Sequence, residues 1–143
     1  MSESTSYESR TGRLSCTPAE VFVFITDIRN FGRFVNEGTI SGWKAEKDSC
    51  SFSVSMLGTV NVRLIEKEFC TRVLFQGDAL SKNDFRIDVR ISGEVEEPAE
   101  VNLSLNADMN PVMKMMAEKP IRQFMEMLMQ EIENFRDWHE LTV

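Results

Sequence analysis

Few side chains in this sequence are of the types that do chemistry, and one of them stands where chemistry would be unusual. Glu131 lies three residues after Leu128 and four before Phe135, with Phe124 and Trp138 seven away on either side, so helical spacing sets a carboxylate inside an apolar stripe. An ionised carboxylate is costly in apolar surroundings unless it is paired or protonated. One reading makes Glu131 a cavity carboxylate with a raised pKa, serving as a catalytic general acid and base or as a polar anchor for a ligand. The plainer reading brings that end of the helix to the rim of a sheet, where Glu131 meets solvent or an arginine. Arg13 and Arg63 fall in strand-like segments near apolar positions. Facing inward, either would bind an anionic ligand head or pair with Glu131. Facing outward they are simply solvated, and strict alternation puts Arg63 on the same outer face as Asn61. Tyr7, the sole tyrosine, lies in a strand of ambiguous phase; inward, it donates a hydrogen bond into a cavity.

The other reactive types give less. His139 is the single histidine and falls in the last turn of a helix, where a cation complements the carbonyl end of the dipole. A Ser-His-Asp or Cys-His arrangement would need it inside a cavity beside a nucleophile. No HxxxH or carboxylate cluster has metal-ligand spacing, so neither a metal nor a cofactor is expected. Cys50 lies on the apolar side of a strand, where it acts as a small hydrophobe, and no nearby cation in the sequence favours its thiolate. Cys16, Cys50 and Cys70 are an odd, widely spaced set without a CxxC pair, which reads as reduced thiols rather than a disulfide frame.

The whole chain narrows the classes further. Its 143 residues suit one domain, residues 1–143, large enough to bury about two thirds of its unfolded surface. Sixteen basic against 23 acidic residues, a net charge of −7, argue against nucleic acid and against a polybasic membrane anchor. No apolar run approaches the roughly 18 residues a membrane helix needs, so no membrane insertion is expected. The start, Met1-Ser2-Glu3-Ser4, has no signal-peptide core, which points to a cytoplasmic location. Both a monomer and a dimer fit.

Residues 4–14 read as a first strand. Thr17, Pro18 and Glu20 form a capping box at the start of a helix whose apolar side is Val21, Phe22, Ile25 and Ile28. A second short helix is expected around Asn30–Val35, ended by Gly38. From about Thr39 the period becomes two. Cys50, Phe52, Val54 and Met56 alternate with serines, and Val60, Val62 and Leu64 follow a turn at Gly58. Val73 and Phe75, then Phe85 to Ile91, then Val101 to Ala107 complete about six strands with short antiparallel connections. Asn110 and Pro111 cap a long Met-rich helix to about Leu141, with Met113, Ala117, Pro120, Phe124, Met127, Leu128, Phe135 and Trp138 as its apolar face. Pro120 should kink that helix or divide off a short first piece. The one-sided sheet must be covered, and the last helix is the only element large enough. Met56-Leu57 and Ala79-Leu80 leave apolar residues in connections, to line a cavity mouth, bind a protein, or fold back on Phe31 and Phe34.

This order, with the segment Thr17-Pro18-Ala19-Glu20-Val21-Phe22 leading to Thr26-Asp27, then Trp43, the Cys50-Ser51-Phe52 strand and the closing helix from Asn110-Pro111, resembles the helix-grip fold of the START-like superfamily (SRPBCC), which includes pollen-allergen proteins and bacterial polyketide cyclase/dehydrase-like domains. The resemblance covers nearly the whole chain. It implies an α+β fold: a strongly curved antiparallel sheet of about six or seven strands wrapped on the C-terminal helix, with two short helices after the first strand. It also implies a cavity between sheet and helix for a small hydrophobic or amphipathic molecule. The sheet residues expected to line it are Phe52, Val62, Phe75, Ile87, Val89 and Leu103. The helix contributes Met113, Met116, Phe124, Met127 and Glu131. Ligand binding is then the leading expectation, and methionine, which adapts to irregular space, suits it. A cyclase- or dehydratase-like enzyme is the alternative, needing two converging ionisable groups, of which Glu131 with Tyr7 or an inward arginine is the available set. A protein-interaction module with a filled core is the third.

Overall fold

Local chemistry sets the helix starts. The Thr17 hydroxyl accepts from the Glu20 amide while the Glu20 carboxylate accepts from the Thr17 amide at 2.9 Å, so both orphan donors are satisfied and α1 (Pro18–Ile25) begins. A 3-10 turn, Ile28–Phe34, follows it. At the other end of the chain the Asn110 side chain accepts from the Met113 amide at 2.9 Å and opens α2 (Pro111–Asn134). The computed structural model describes residues 3–34, 40–54, 58–79, 83–135 and 138.

Eight strands lie between and before these helices: β1 (Glu3–Glu8), β2 (Gly12–Arg13), β3 (Ile40–Ala45), β4 (Ser49–Val54), β5 (Gly58–Glu68), β6 (Arg72–Ala79), β7 (Asn83–Ser92) and β8 (Glu100–Met109). They form one antiparallel sheet in the order β1-β8-β7-β6-β5-β4-β3, with β2 also on β8. The expected first strand over 4–14 is thus two pieces on one edge. Their break brings Gly12 beneath α2, where a Cβ would run into the Met129 sulfur and force that side chain to shift.

Register puts most apolar strand residues on one face, with Leu74 of β6 an exception on the other. Phe52 pairs with Val60, Phe75 with Ile87, Val89 with Leu103, and Tyr7 with Leu105. That face is buried against α1 and α2, giving the helix-grip architecture that the strand and helix order implied. Two strands need a correction of phase: in β5 the register shifts between Leu64 and Glu66. In β3 the register shifts between Ser41 and Lys44, and Gly42 has φ +65. This bulge lets Ile40, Trp43 and Ala45 all pack toward the core, which plain alternation would forbid.

The last helix departs from its expected form in three ways. It runs through Pro120 as one element, so of the two forms expected there the separate first piece is not formed, and Met116, whose carbonyl loses its intrahelical partner, is an exposed residue. It ends at Asn134 rather than near Leu141, because Phe135 turns extended. Trp138 then folds back, its indole N–H donating to the Phe135 carbonyl at 3.2 Å and its ring 5.0 Å from Phe24. Finally, its buried line is Ala117, Ile121, Met125, Met129 and Ile132, a face rotated from the one expected. The second short helix is likewise the 3-10 turn, starting two residues earlier than expected.

Candidate functional site

Between the sheet and α2 lies a cavity of about 80 Å³ with an almost wholly apolar wall. Adjacent strands supply one side: Trp43 from β3, Phe52 from β4, Val62 from β5, Phe75 from β6, Ile87 and Val89 from β7, and Leu103 from β8. Val21 and Ile25 of α1 and Phe31 of the 3-10 turn close one end. Phe124, Leu128 and Ile132 of α2, with Trp138, form the roof. The aromatic rings are interlocked. Phe52 stacks on Phe124 with centroids 6.2 Å apart, Trp43 lies 5.7 Å from Phe52, and Phe31 meets Phe75 edge-on at 5.7 Å.

Of the eleven expected lining residues, the structure gathers seven: Phe52, Val62, Phe75, Ile87, Val89, Leu103 and Phe124. The other four, all on α2, lie off the cavity wall. Met116 is 66% exposed on the outer side of the helix. Met113 and Met127 pack against the margin of the core. Glu131 is half-buried and takes no part in the lining. The reason is angular: Phe124, Leu128 and Ile132 hold the cavity side, and Glu131 is one residue, about 100°, away from Ile132. Reading Phe124, Leu128 and Phe135 as one stripe carried Glu131 inward with them, but Phe135 is past the helix end.

Sequence reasoning missed Trp43, Trp138, Phe31 and the α1 residues as lining. Gly42 before Trp43 was the available sign of a bulge. Nothing in the sequence announces that the chain doubles back at Phe135. The apolar side of α1 was legible, though its destination was not.

The polar candidates also have definite places. Arg13 points out, its side chain 84% exposed and 3.5 Å from Glu100. Arg63 is exposed on the outer face. Tyr7 is inward and only 2% exposed, beneath α2, with the Arg122 guanidinium 5.1 Å from its ring centre, and it does not border the cavity. Burial raises the pKa of its phenol, helped by Glu118 and opposed by Arg122. Cys50 is the one ionisable residue in the cavity lining, and burial pushes its thiol up to about 12. Cys16, Cys50 and Cys70 are all free thiols. Among the described residues no group of three acidic, cysteine or histidine side chains is placed to hold a metal. His139, Met56, Leu57 and Leu80 lie outside the described residues, as do the Phe34 and Ala79 side chains.

No protein-family model matches the sequence, and no curated protein matches it. Solved structures do match in shape. Norcoclaurine synthase from Thalictrum flavum, in complex with dopamine and hydroxybenzaldehyde, is 4% identical with a TM-score of 0.66, over 95% of this chain and 90% of its own. A START superfamily protein from Mycobacterium smegmatis is 12% identical with a TM-score of 0.55, over 92% and 97%. CalU16 from Micromonospora echinospora is 15% identical with a TM-score of 0.54, over 94% and 87%. The fold is START-like. Identities this low speak for architecture alone. No described helix is long and apolar enough to cross a membrane.

Proposed function

We propose that the protein binds a small apolar molecule, most suitably a planar aromatic one, in the cavity between the sheet and α2. The observation that carries this reading is the lining itself. Phe31, Trp43, Phe52, Phe75, Phe124 and Trp138 surround a space whose wall offers almost no polar surface. Such a wall recognises shape and rewards exclusion of water, and it gives a ring offset or edge-on partners on several sides. The cavity is small. A dry engineered cavity of about 150 Å³ accepts benzene, so a ligand of even one ring must push Phe124 or Trp43 aside here. The structural neighbour bound to dopamine and hydroxybenzaldehyde supports single-ring aromatics as a class to test.

Catalysis of the cyclase or dehydratase type is less well supported, because it needs a converging acid and base. The lining contributes only the Cys50 thiol, held protonated by burial. Glu131 and Tyr7, the groups that would have supplied the pair, border other parts of the molecule.

Two tryptophans line the cavity, so intrinsic fluorescence reports occupancy directly. Titration with toluene and with 4-hydroxybenzaldehyde should change the tryptophan emission saturably. Leu128→Trp, which fills the roof, should abolish the response while the circular dichroism spectrum is retained. A saturable response that survives Leu128→Trp, or none from either compound, would sink the reading.

A further inference from the structure

The opposite face of the sheet carries a second concavity, far larger than the first. It has a volume of about 540 Å³ and opens to solvent, within the roughly 300–1,000 Å³ typical of ligand sites. Its floor is the backbone of one row across four strands, Ala45, Cys50, Val62 and Gly77, which stand next to one another in register. Side chains on either side of that row make two walls. One wall is Lys44, Ser51, Asn61, Asp78 and Asp84, and the other is Glu46, Ser49, Arg63 and Gln76. The middle of the groove is low because its two serines are short.

Two of the groove's carboxylates are adjacent, with Arg86 the next residue along the face from Asp84. Asp78 and Asp84 are direct cross-strand partners, and like charges so placed destabilise a sheet. No cation among the described residues pairs with either; the Asn61 amide donates to Asp78 at 3.0 Å. Arg63, in register between Ser49 and Gln76, has no carboxylate within ion-pair distance among the described residues. Asp78 is two residues beyond Gln76, the partner of Arg63, which places the two charges on a diagonal about 7–8 Å apart at the backbone.

We infer that this groove binds a small zwitterion with a carboxylate and an ammonium a few ångströms apart, as in a free amino acid or a dipeptide. The Arg63 guanidinium takes the carboxylate through its paired N–H groups. The ammonium, with three donors and no acceptor, sits between Asp78 and Asp84 and removes their mutual repulsion. Ser49, Ser51, Asn61 and Gln76 supply donors and acceptors for a peptide unit between the two ends. The site lies on the other side of the sheet from the apolar cavity, and its occupant shares nothing with a ligand suited to that cavity.

The test is titration of the full chain, followed by backbone amide chemical shifts, with glycine, glycylglycine, N-acetylglycylglycine and glycylglycine amide. Saturable shifts at residues 49–51, 61–63 and 76–78 are expected with glycine or glycylglycine, and the better of the two fixes the length. Blocking either end should weaken binding at least tenfold, as should Arg63→Gln and the pair Asp78→Asn with Asp84→Asn. Leu128→Trp should leave this binding unchanged, which separates it from the cavity. No saturable shift, or blocked peptides that bind as well as the free one, overturns the proposal without reference to any variant.

Discussion

Tyr7 carries the one buried side-chain polar atom among the described residues that has no hydrogen-bond partner. Its ring is well used, pressed between β8 and α2 with the Arg122 guanidinium over its face. The hydroxyl is not: a buried donor without an acceptor costs on the order of 1–3 kcal/mol. Tyr7→Phe keeps the ring, its packing and the cation above it, and removes only the unsatisfied group. The variant should therefore be as stable as the parent or more stable by about 1 kcal/mol in urea denaturation. Destabilisation by a similar amount would show instead that the hydroxyl has a partner, such as an ordered water, and that the residue is a polar anchor after all.

The same kind of reasoning, applied to a whole element, separates the methionines of α2. Met129 is fully buried over Gly12, whereas Met116 is 66% exposed. Truncating a buried methionine removes both transfer energy and packing, so Met129→Ala should cost about 2–5 kcal/mol. Met116→Ala should stay within about 0.5 kcal/mol. Equal effects in thermal or urea unfolding would contradict the helix orientation described above. The sequence could not separate them, because α2 is rich in apolar residues on more than one side and two phases fit a 3.6-residue period almost equally well. Extending the helix to Trp138 tipped the choice the wrong way. The strands were far more legible. Cys50-Phe52-Val54 and Val101-Leu103-Leu105-Ala107 each alternate against polar residues, so their inward faces, with Phe52 and Leu103 of the cavity, followed directly. Where the strand period breaks, at the Gly42 bulge and between β1 and β2, legibility broke with it. Side-chain volumes across the gap, which make the cavity small, are a property of packing that no period encodes.

At the scale of the whole molecule the ends of the chain hold one another. β1 lies along β8, and Arg10, just after β1, reaches the C-terminal half of α2. Its guanidinium grips both oxygens of Glu133, at 2.8 and 2.6 Å, and contacts Glu126 at 3.4 Å. The Ser15 hydroxyl donates to the Phe135 carbonyl at 3.1 Å nearby. The helix is thus tied near its end, over Met129 and Ile132, while its beginning exposes Val112, Met115 and Met116. This tie should make stability depend on pH. The bond to Arg10 holds the Glu133 carboxyl below its usual range, and Arg10 itself stays charged throughout. A carboxylate whose pKa is lowered on folding stabilises the fold above its unfolded value, and that contribution is lost as pH falls through the folded value. Asp27 beside Arg29 acts in the same sense, though the two are close in sequence and can meet in the unfolded chain as well. Arg10→Gln should therefore be less stable than the parent at pH 7, by a modest margin because the pair is partly exposed. The difference should shrink as pH falls and vanish below the folded value of Glu133, where the carboxyl is protonated in both proteins. Urea midpoints of the two proteins, measured from pH 7 down through that value, make the comparison. A gap that stays constant with pH would mean that Arg10 supports the helix through packing of its stem rather than through its charge.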